Sequence, residues 1–165
     1  MERILVIGSP GAGKTTLART LSEKLDLPLV HLDALYWRDG WVHVSQEEFD
    51  GLLAEVLARP RWIIDGNYSR TVPACLAVCD TVIYLDYPRL VCLRGAVKRI
   101  LTNLGRSRPD MGDDCPERFD PEFLCYIWGF PKTQRQKLLS LLDSFEGKVI
   151  LLRNRREAKE FINKL

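Results

Sequence analysis

The stretch GSPGAGKTT, from Gly8 to Thr16, constrains this chain more than any other. It satisfies G-x-x-x-x-G-K-[ST], with Gly8, Gly13, Lys14 and Thr15 at the required places. Before it, Arg3-Ile4-Leu5-Val6-Ile7 is a short β-branched apolar run that reads as a buried strand. After it, Leu17, Ala18, Leu21 and Leu25 recur at helical spacing. A glycine-rich turn arising by chance would not need both flanks.

The chemistry follows from the backbone. Glycines at 8, 11 and 13 allow successive N–H groups to converge on an anion, and the helix that follows presents its positive dipole end to the same place. Pro10 has no N–H to contribute. The residues Gly8, Ser9, Gly11, Ala12, Gly13, Lys14, Thr15 and Thr16 are therefore the expected wrapping of a nucleotide's phosphates. Lys14 is expected to reach the β- and γ-phosphates, and the Thr15 hydroxyl to hold Mg²⁺.

The rest of the chain sets bounds. Its 165 residues fit one domain, and a net charge of +2 makes no case for a nucleic-acid or membrane partner. An odd count of five cysteines, with no C-x-x-C pair, reads as scattered reduced thiols. No leader-like start and no apolar run of membrane-spanning length is present, so a soluble, cytoplasmic protein is expected.

Strands and helices alternate along the chain. Leu29 to Leu32 reads as a second strand ending at Asp33, Trp62 to Ile64 as a third delivering Asp65, and Thr81 to Leu85 as a fourth ending at Asp86. Lys148 to Leu152 reads as the last. Ser45 with Glu48, Asp120 with Pro121, and Asn154 with Glu157 mark helix starts. Leu90, Leu93, Val97, Ile100, Leu101 and Leu104 trace the expected buried face of a long helix, and Pro131 is expected to kink a later one. The stretch 104–121 reads as a lid-like flap. Such alternation implies an α/β fold, a parallel sheet with helices on both faces and ligands outside the strands' carboxyl ends. That rule places Asp33, Asp65 and Asp86 nearest the glycine-rich loop.

Asp65, at a strand end, fits a metal-holding carboxylate; the other reading is a turn aspartate before glycine. Asp33 is either a general base for an acceptor hydroxyl, an anchor for substrate, or a cap. His31 alternates with apolar neighbours and reads as structural. Tyr36, Trp37, Trp41 and Tyr68 either stack on a ring-bearing substrate or form an apolar cluster under a loop. Arg89, Arg94, Lys98, Arg99, Arg106 and Arg108 lie in a stretch without acidic residues. They form either a solvated face or a segment closing over phosphates. Cys115 and Cys125, without a nearby histidine, do not make a zinc flap.

These segments resemble the nucleoside monophosphate kinase group. GSPGAGKT is similar to the phosphate loop of adenylate kinases, DGNYSRT (65–71) to their Asp-Gly-Phe-Pro-Arg-Thr segment, and the stretch from Asp86 to Arg99 to their strand, proline and arginine-bearing helix. HLDALYW (31–37), DGNY (65–68), RPDMG (108–112) and CPERFD (115–120) resemble the adenylate-kinase-like DNA topology modulation proteins. Asp33 is similar to the substrate aspartate of shikimate-type kinases.

The resemblance implies a P-loop NTPase three-layer sandwich with a five-stranded parallel sheet, ATP with Mg²⁺, and Arg99 and Arg94 as lid-base arginines. At least one cation of the basic stretch, Arg106 and Arg108 among them, would contact phosphate, and by analogy of fold the adenine would rest by Arg153, Asn154 and Arg155. Asp33, Tyr36, Trp37, Asn67, Tyr68 and Arg70 would position a small-molecule acceptor. The expected activity is an ATP-dependent phosphotransfer. The alternative is a regulatory ATP-binding protein or ATPase acting on DNA topology or a protein partner, its basic stretch contacting nucleic acid.

Overall fold

The computed structural model describes residues 1–107 and 115–165. The chain opens on β1 (Arg3–Gly8), whose Ile4, Leu5, Val6 and Ile7 are fully buried. A strand buried on both faces must be apolar at every position, which explains the absence of polar alternation there. Each such side chain contributes roughly 1.5–3 kcal/mol relative to exposure. The glycine-rich loop then leads into α1 (Lys14–Leu25), which buries Leu17, Ala18 and Leu21.

After β2 (Leu29–His31) comes α2 (Leu32–Tyr36), then a small antiparallel hairpin of β3 (Trp37–Arg38) and β4 (Val42–His43) around a 3-10 turn at Asp39–Trp41. The expected second strand therefore stops early. Asp33 lies inside α2 rather than at a strand end, and the aromatic-rich stretch that follows has its own hairpin. Ser45 caps α3 (Gln46–Leu57) by accepting from the Glu48 N–H at 3.1 Å.

β5 (Trp62–Asp65) is buried throughout. It is followed by α4 (Val72–Leu76), β6 (Thr81–Leu85) and the long α5 (Arg89–Asn103). Asp120 starts α6 (Pro121–Thr133) by accepting from the Phe123 N–H at 3.1 Å. Pro131 stays inside that helix, and the break comes later, at Gln134, before α7 (Arg135–Asp143). The chain ends with β7 (Lys148–Leu152) and α8 (Arg155–Asn163).

The sheet runs β2-β5-β1-β6-β7, every pair parallel. Along β1, Leu5 and Ile7 face one core with side chains of α3, α4 and α7, while Ile4 and Val6 face a second with α1 and α5. Both faces of the sheet are thus covered, as parallel pairing requires. Among the described residues no helix is long and apolar enough to cross a membrane.

The buried face of α5 differs from the expected one. Cys92, Ala96 and Ile100 face the core, while Leu90, Val97, Leu101 and Leu104 are 57%, 36%, 71% and 59% exposed. The cause is a backbone-to-backbone approach described below, which only small residues permit. The ends of the flap are also less irregular than expected. Gly105 N–H donates to the Glu117 carbonyl and Glu117 N–H to the Arg106 carbonyl, both at 3.0 Å. Residues 108–114, and with them Arg108 and the RPDMG segment, lie outside the described residues.

Candidate functional site

The glycine-rich loop sits on α5. A Cβ added to Gly11, whose φ is +79°, would lie 2.0 Å from the Cys92 carbonyl oxygen, and one added to Gly95 would lie 2.1 Å from the Gly11 oxygen. No side chain fits between these backbones, so loop position is set by glycine on glycine. Within the loop, Ala12 N–H donates to the Ser9 carbonyl at 3.2 Å, and Gly13, with φ 97°, turns the chain into α1. Asn67 accepts from the Gly8 N–H at 3.2 Å, tying the loop to the segment after β5.

Lys14 is folded onto its own loop, its Nζ donating to the carbonyls of Gly8 at 3.0 Å and Ser9 at 3.3 Å. Burial lowers its pKa, and the carboxylates of Asp65 and Asp33 oppose that shift only in part. An incoming phosphate would supply the negative charge that the lysine lacks. Both carboxylates are thus within electrostatic reach of one ammonium.

Asp65 is buried at the carboxyl end of β5. Its Oδ2 accepts from the Thr15 hydroxyl at 2.7 Å and lies 3.0 Å from His31 Nδ1. Its Oδ1 is buried with no hydrogen-bond partner among the described residues. Burial pushes the carboxyl up, but the His31 bond, the Lys14 charge and the Thr15 hydroxyl outweigh it and hold it below its ordinary value. A buried carboxylate with one oxygen uncommitted, beside a hydroxyl, has the donor set a hard cation takes. His31, which by its alternation with apolar neighbours reads as structural, comes to stand opposite Asp65 because β2 pairs in parallel with β5.

Across from this pair, Asp33 Oδ1 accepts from the Tyr68 hydroxyl at 2.7 Å. Burial and the adjacent Asp33 charge raise the Tyr68 pKa, so the phenol stays a donor. Tyr68 packs 4.9 Å from Tyr36, which contacts Trp37 at 5.0 Å, and Trp37 contacts Trp41 at 5.4 Å. Phe49 of α3 closes the group at 5.2 Å from Tyr36. The aromatic residues form one half-buried wall beside Asp33 that also roofs the core.

The cations are distributed unevenly. Arg99 pairs with the buried Glu117 at 3.1 Å, lies 5.3 Å over Phe123, and its charge reaches Lys14. Arg135 donates to both oxygens of Asp86, at 2.6 and 2.7 Å. Arg70 instead grips Asp50 of α3, at 2.9 and 2.5 Å. Arg94 is exposed on α5, in a surface groove with Leu93, Val97, Lys98 and Leu101. Arg106 is exposed at the flap base. Arg153 N–H donates to Glu157 at 2.7 Å, and the neighbouring Arg155 is close enough to Tyr87 and Cys92 to affect both.

The far end of the flap is clasped to the hairpin. Cys115 Sγ donates to the Arg38 carbonyl at 3.2 Å, Trp41 Nε1 donates to the Pro116 carbonyl at 3.1 Å, and Arg118 lies 5.4 Å over Trp41.

Comparison with known proteins bears on the fold. The model of the ATPase family associated with various cellular activities (AAA) matches residues 4–65, the stretch from β1 to Asp65. A "Putative adenylate kinase" of Thermococcus onnurineus (strain NA1) is 33% identical over 99 residues, covering 55% of this chain and 52% of the relative. The match thus spans about half the length of that relative. Shikimate kinase of Thermobifida fusca (strain YX) is 43% identical over 61 residues, 33% of this chain and 36% of the relative. A solved shikimate kinase from Acinetobacter baumannii, in complex with shikimate, aligns with a TM-score of 0.59 over 99% of this chain and 90% of that one, at 18% identity. The relatives are adenylate-kinase-like and shikimate-kinase-like P-loop proteins.

Viewed as a P-loop kinase fold, the structure brings Lys14, Thr15, Asp65, Asp33 and Tyr68 together at the carboxyl edge of the sheet. Arg99 stands at the same edge. Asn67 faces the phosphate loop and Arg70 faces α3, so neither is turned toward Asp33. His31, Glu117 and Arg135, which the sequence does not single out, pair with the candidate residues Asp65, Arg99 and Asp86.

Proposed function

We propose that this chain is an ATP- and Mg²⁺-dependent phosphotransferase acting on a hydroxyl group of a small molecule. The observation that carries this reading is the buried Asp65 beside the glycine-rich loop, one oxygen bonded to the Thr15 hydroxyl at 2.7 Å and the other without a partner among the described residues. In this reading Asp65 serves a metal, Asp33 the acceptor and Lys14 the phosphates.

In this reading the loop from Gly8 to Thr16 wraps the phosphates through its N–H groups. Lys14 leaves the Gly8 and Ser9 carbonyls to contact the β- and γ-phosphates. Thr15 and Asp65 would hold Mg²⁺, the uncommitted Asp65 Oδ1 supplying a ligand directly or through water. When bound, the metal neutralises charge on the phosphates. Arg99 stabilises charge spread over the transferring group, and Arg106, Arg153 and Arg155 lie along the nucleotide side. Tyr68 occupies Asp33 Oδ1 and leaves the second oxygen to orient the acceptor hydroxyl and accept its proton.

The test is incubation with Mg²⁺ and γ-labelled ATP against a panel of hydroxyl-bearing metabolites. Transfer of label to one compound, lost in Lys14→Ala with the fold retained, is the expected result. Release of free phosphate alone would overturn it in favour of a regulatory ATPase.

A further inference from the structure

An aspartate that is to serve a cation must be held in one rotation. The terminal torsion of its side chain is broad, so a single hydrogen bond leaves the carboxylate able to turn. Asp65 is held by two bonds from two different elements. The Thr15 hydroxyl, at the start of α1, donates to Oδ2 at 2.7 Å, and His31, at the end of β2, meets the same oxygen through Nδ1 at 3.0 Å. The carboxyl is held below its ordinary value and is therefore ionised at neutral pH, and an ionised carboxylate only accepts. Nδ1 is thus the ring nitrogen that carries the hydrogen. With both donors on Oδ2, the buried Oδ1 is left without a partner among the described residues.

Backbone pairing puts the imidazole there. The parallel register of β2 on β5 sets Leu29 beside Ile63, Val30 beside Ile64 and His31 beside Asp65, so ring and carboxylate leave adjacent backbone positions. The next residue along, Leu32, is buried, and its Cβ would lie 3.0 Å from a Cβ added to Gly66, which keeps the two strand ends close. The Thr15 oxygen has lone pairs besides the hydrogen it gives to Asp65, so it can serve a cation without releasing the carboxylate.

We infer that His31 is a positioning residue of the candidate metal site, its Nδ1–H fixing the Asp65 carboxylate so that Oδ1 stays available to Mg²⁺ or to a water on it. His31 acts through Asp65. Outer partners of this kind are typically worth about 10–100-fold in metal affinity. The inference rests on the phosphotransferase reading, in which Thr15 and Asp65 hold the metal, and adds to it a residue outside that pair.

The full chain and its variants His31→Leu, His31→Gln and His31→Asn are titrated calorimetrically with a non-hydrolysable ATP analogue, once in excess EDTA and once with Mg²⁺. The ratio of the two affinities isolates the contribution of the metal, which a general loosening of the fold would not change selectively. His31→Asn keeps an N–H on the atom bonded to Cγ, where Nδ1 stands. His31→Gln moves it one carbon farther out, and His31→Leu has none. The expected result is that all four proteins bind the analogue alike without metal, that His31→Leu and His31→Gln lose about 10–100-fold of the Mg²⁺-dependent gain, and that His31→Asn keeps most of it. Should His31→Leu fail to fold, the comparison of His31→Asn with His31→Gln decides. Equal metal-dependent gains in every protein, or equal losses in His31→Asn and His31→Gln, overturn this inference and leave the phosphotransferase reading standing. No Mg²⁺-dependent gain in the parent overturns the metal site of that reading and this inference with it.

Discussion

The two halves of the candidate site are built by different means. On one side the glycine-rich loop meets α5 backbone to backbone, Gly11 against Cys92 and Gly95, with no side chain between them. On the acceptor side position comes from side chains: Tyr68 on Asp33, Tyr36 against Tyr68 and Phe49, and the Trp41 N–H on the Pro116 carbonyl. The first should tolerate most changes of side chain on α5 provided the small residues stay small. The second should respond to each substitution.

Substitutions on each side test that contrast. The largest effect is expected from Lys14→Ala, which removes the cation proposed to contact the transferring phosphate. Turnover should fall by about 10²–10³-fold or more, as for other preorganised charge-stabilising groups. Circular dichroism and melting temperature should stay near those of the parent, since the side chain bonds only its own loop.

Gly95→Ala comes next and can break the account of the loop side. Alanine favours a helix by roughly 1 kcal/mol over glycine. Here its methyl would meet the Gly11 oxygen at 2.1 Å, so we expect a net loss of about 1–3 kcal/mol and weakened ATP binding. Denaturant unfolding gives the sign directly. A stabilised variant would show that the two backbones are not in contact.

His31→Ala sharpens the boundary between the halves. The His31 bond is among the contacts that hold the Asp65 carboxyl below its ordinary value. A depressed carboxyl pKa contributes stability that is present above the unfolded value and is lost as pH falls through the folded one. Removing His31 raises the folded pKa toward the unfolded value, so that contribution should shrink and disappear at a higher pH. Unfolding midpoints measured from neutral pH down into the carboxylate range, without metal, test this. Superimposable curves for parent and variant would contradict it.

On the acceptor side, Tyr68→Phe deletes a hydrogen bond to a charged group while keeping the ring in the wall. Roughly 1–2 kcal/mol of transition-state stabilisation should go, near tenfold in kcat/KM for the acceptor, with ATP affinity unchanged. Equal losses for both substrates would mean that the halves are not separable. The smallest effect is expected from Arg70→Ala. Its pair with Asp50 is about half exposed on both sides, so stability should change by less than about 1 kcal/mol.

The same contrast explains what could be read from the chain alone. Backbone-built features announce themselves through residue type, so the loop, the parallel α/β sheet and the strand-end Asp65 were legible. Networks of side chains far apart in sequence were not. Nothing in the sequence pairs Arg135 with Asp86, 49 residues earlier, or Arg99 with Glu117 across the flap. The α5 face shows a subtler failure. Its large apolar residues do repeat at helical spacing, but the approach of Gly11 reserves the inner arc for Cys92, Gly95 and Ala96 and turns Leu90, Val97 and Leu101 outward. Asp33 was legible as a residue of interest, but its place in α2 was not. The run of Leu29 to Leu32 hides the switch from strand to helix at His31.

The most direct test is a crystal structure with Mg²⁺ and a non-hydrolysable ATP analogue. The account predicts the β- and γ-phosphates inside the turn from Gly8 to Thr16, with Lys14 Nζ drawn off the Gly8 and Ser9 carbonyls onto them. It also predicts a metal between Thr15 and Asp65. An empty turn with Lys14 still on those carbonyls, at saturating nucleotide, would contradict it.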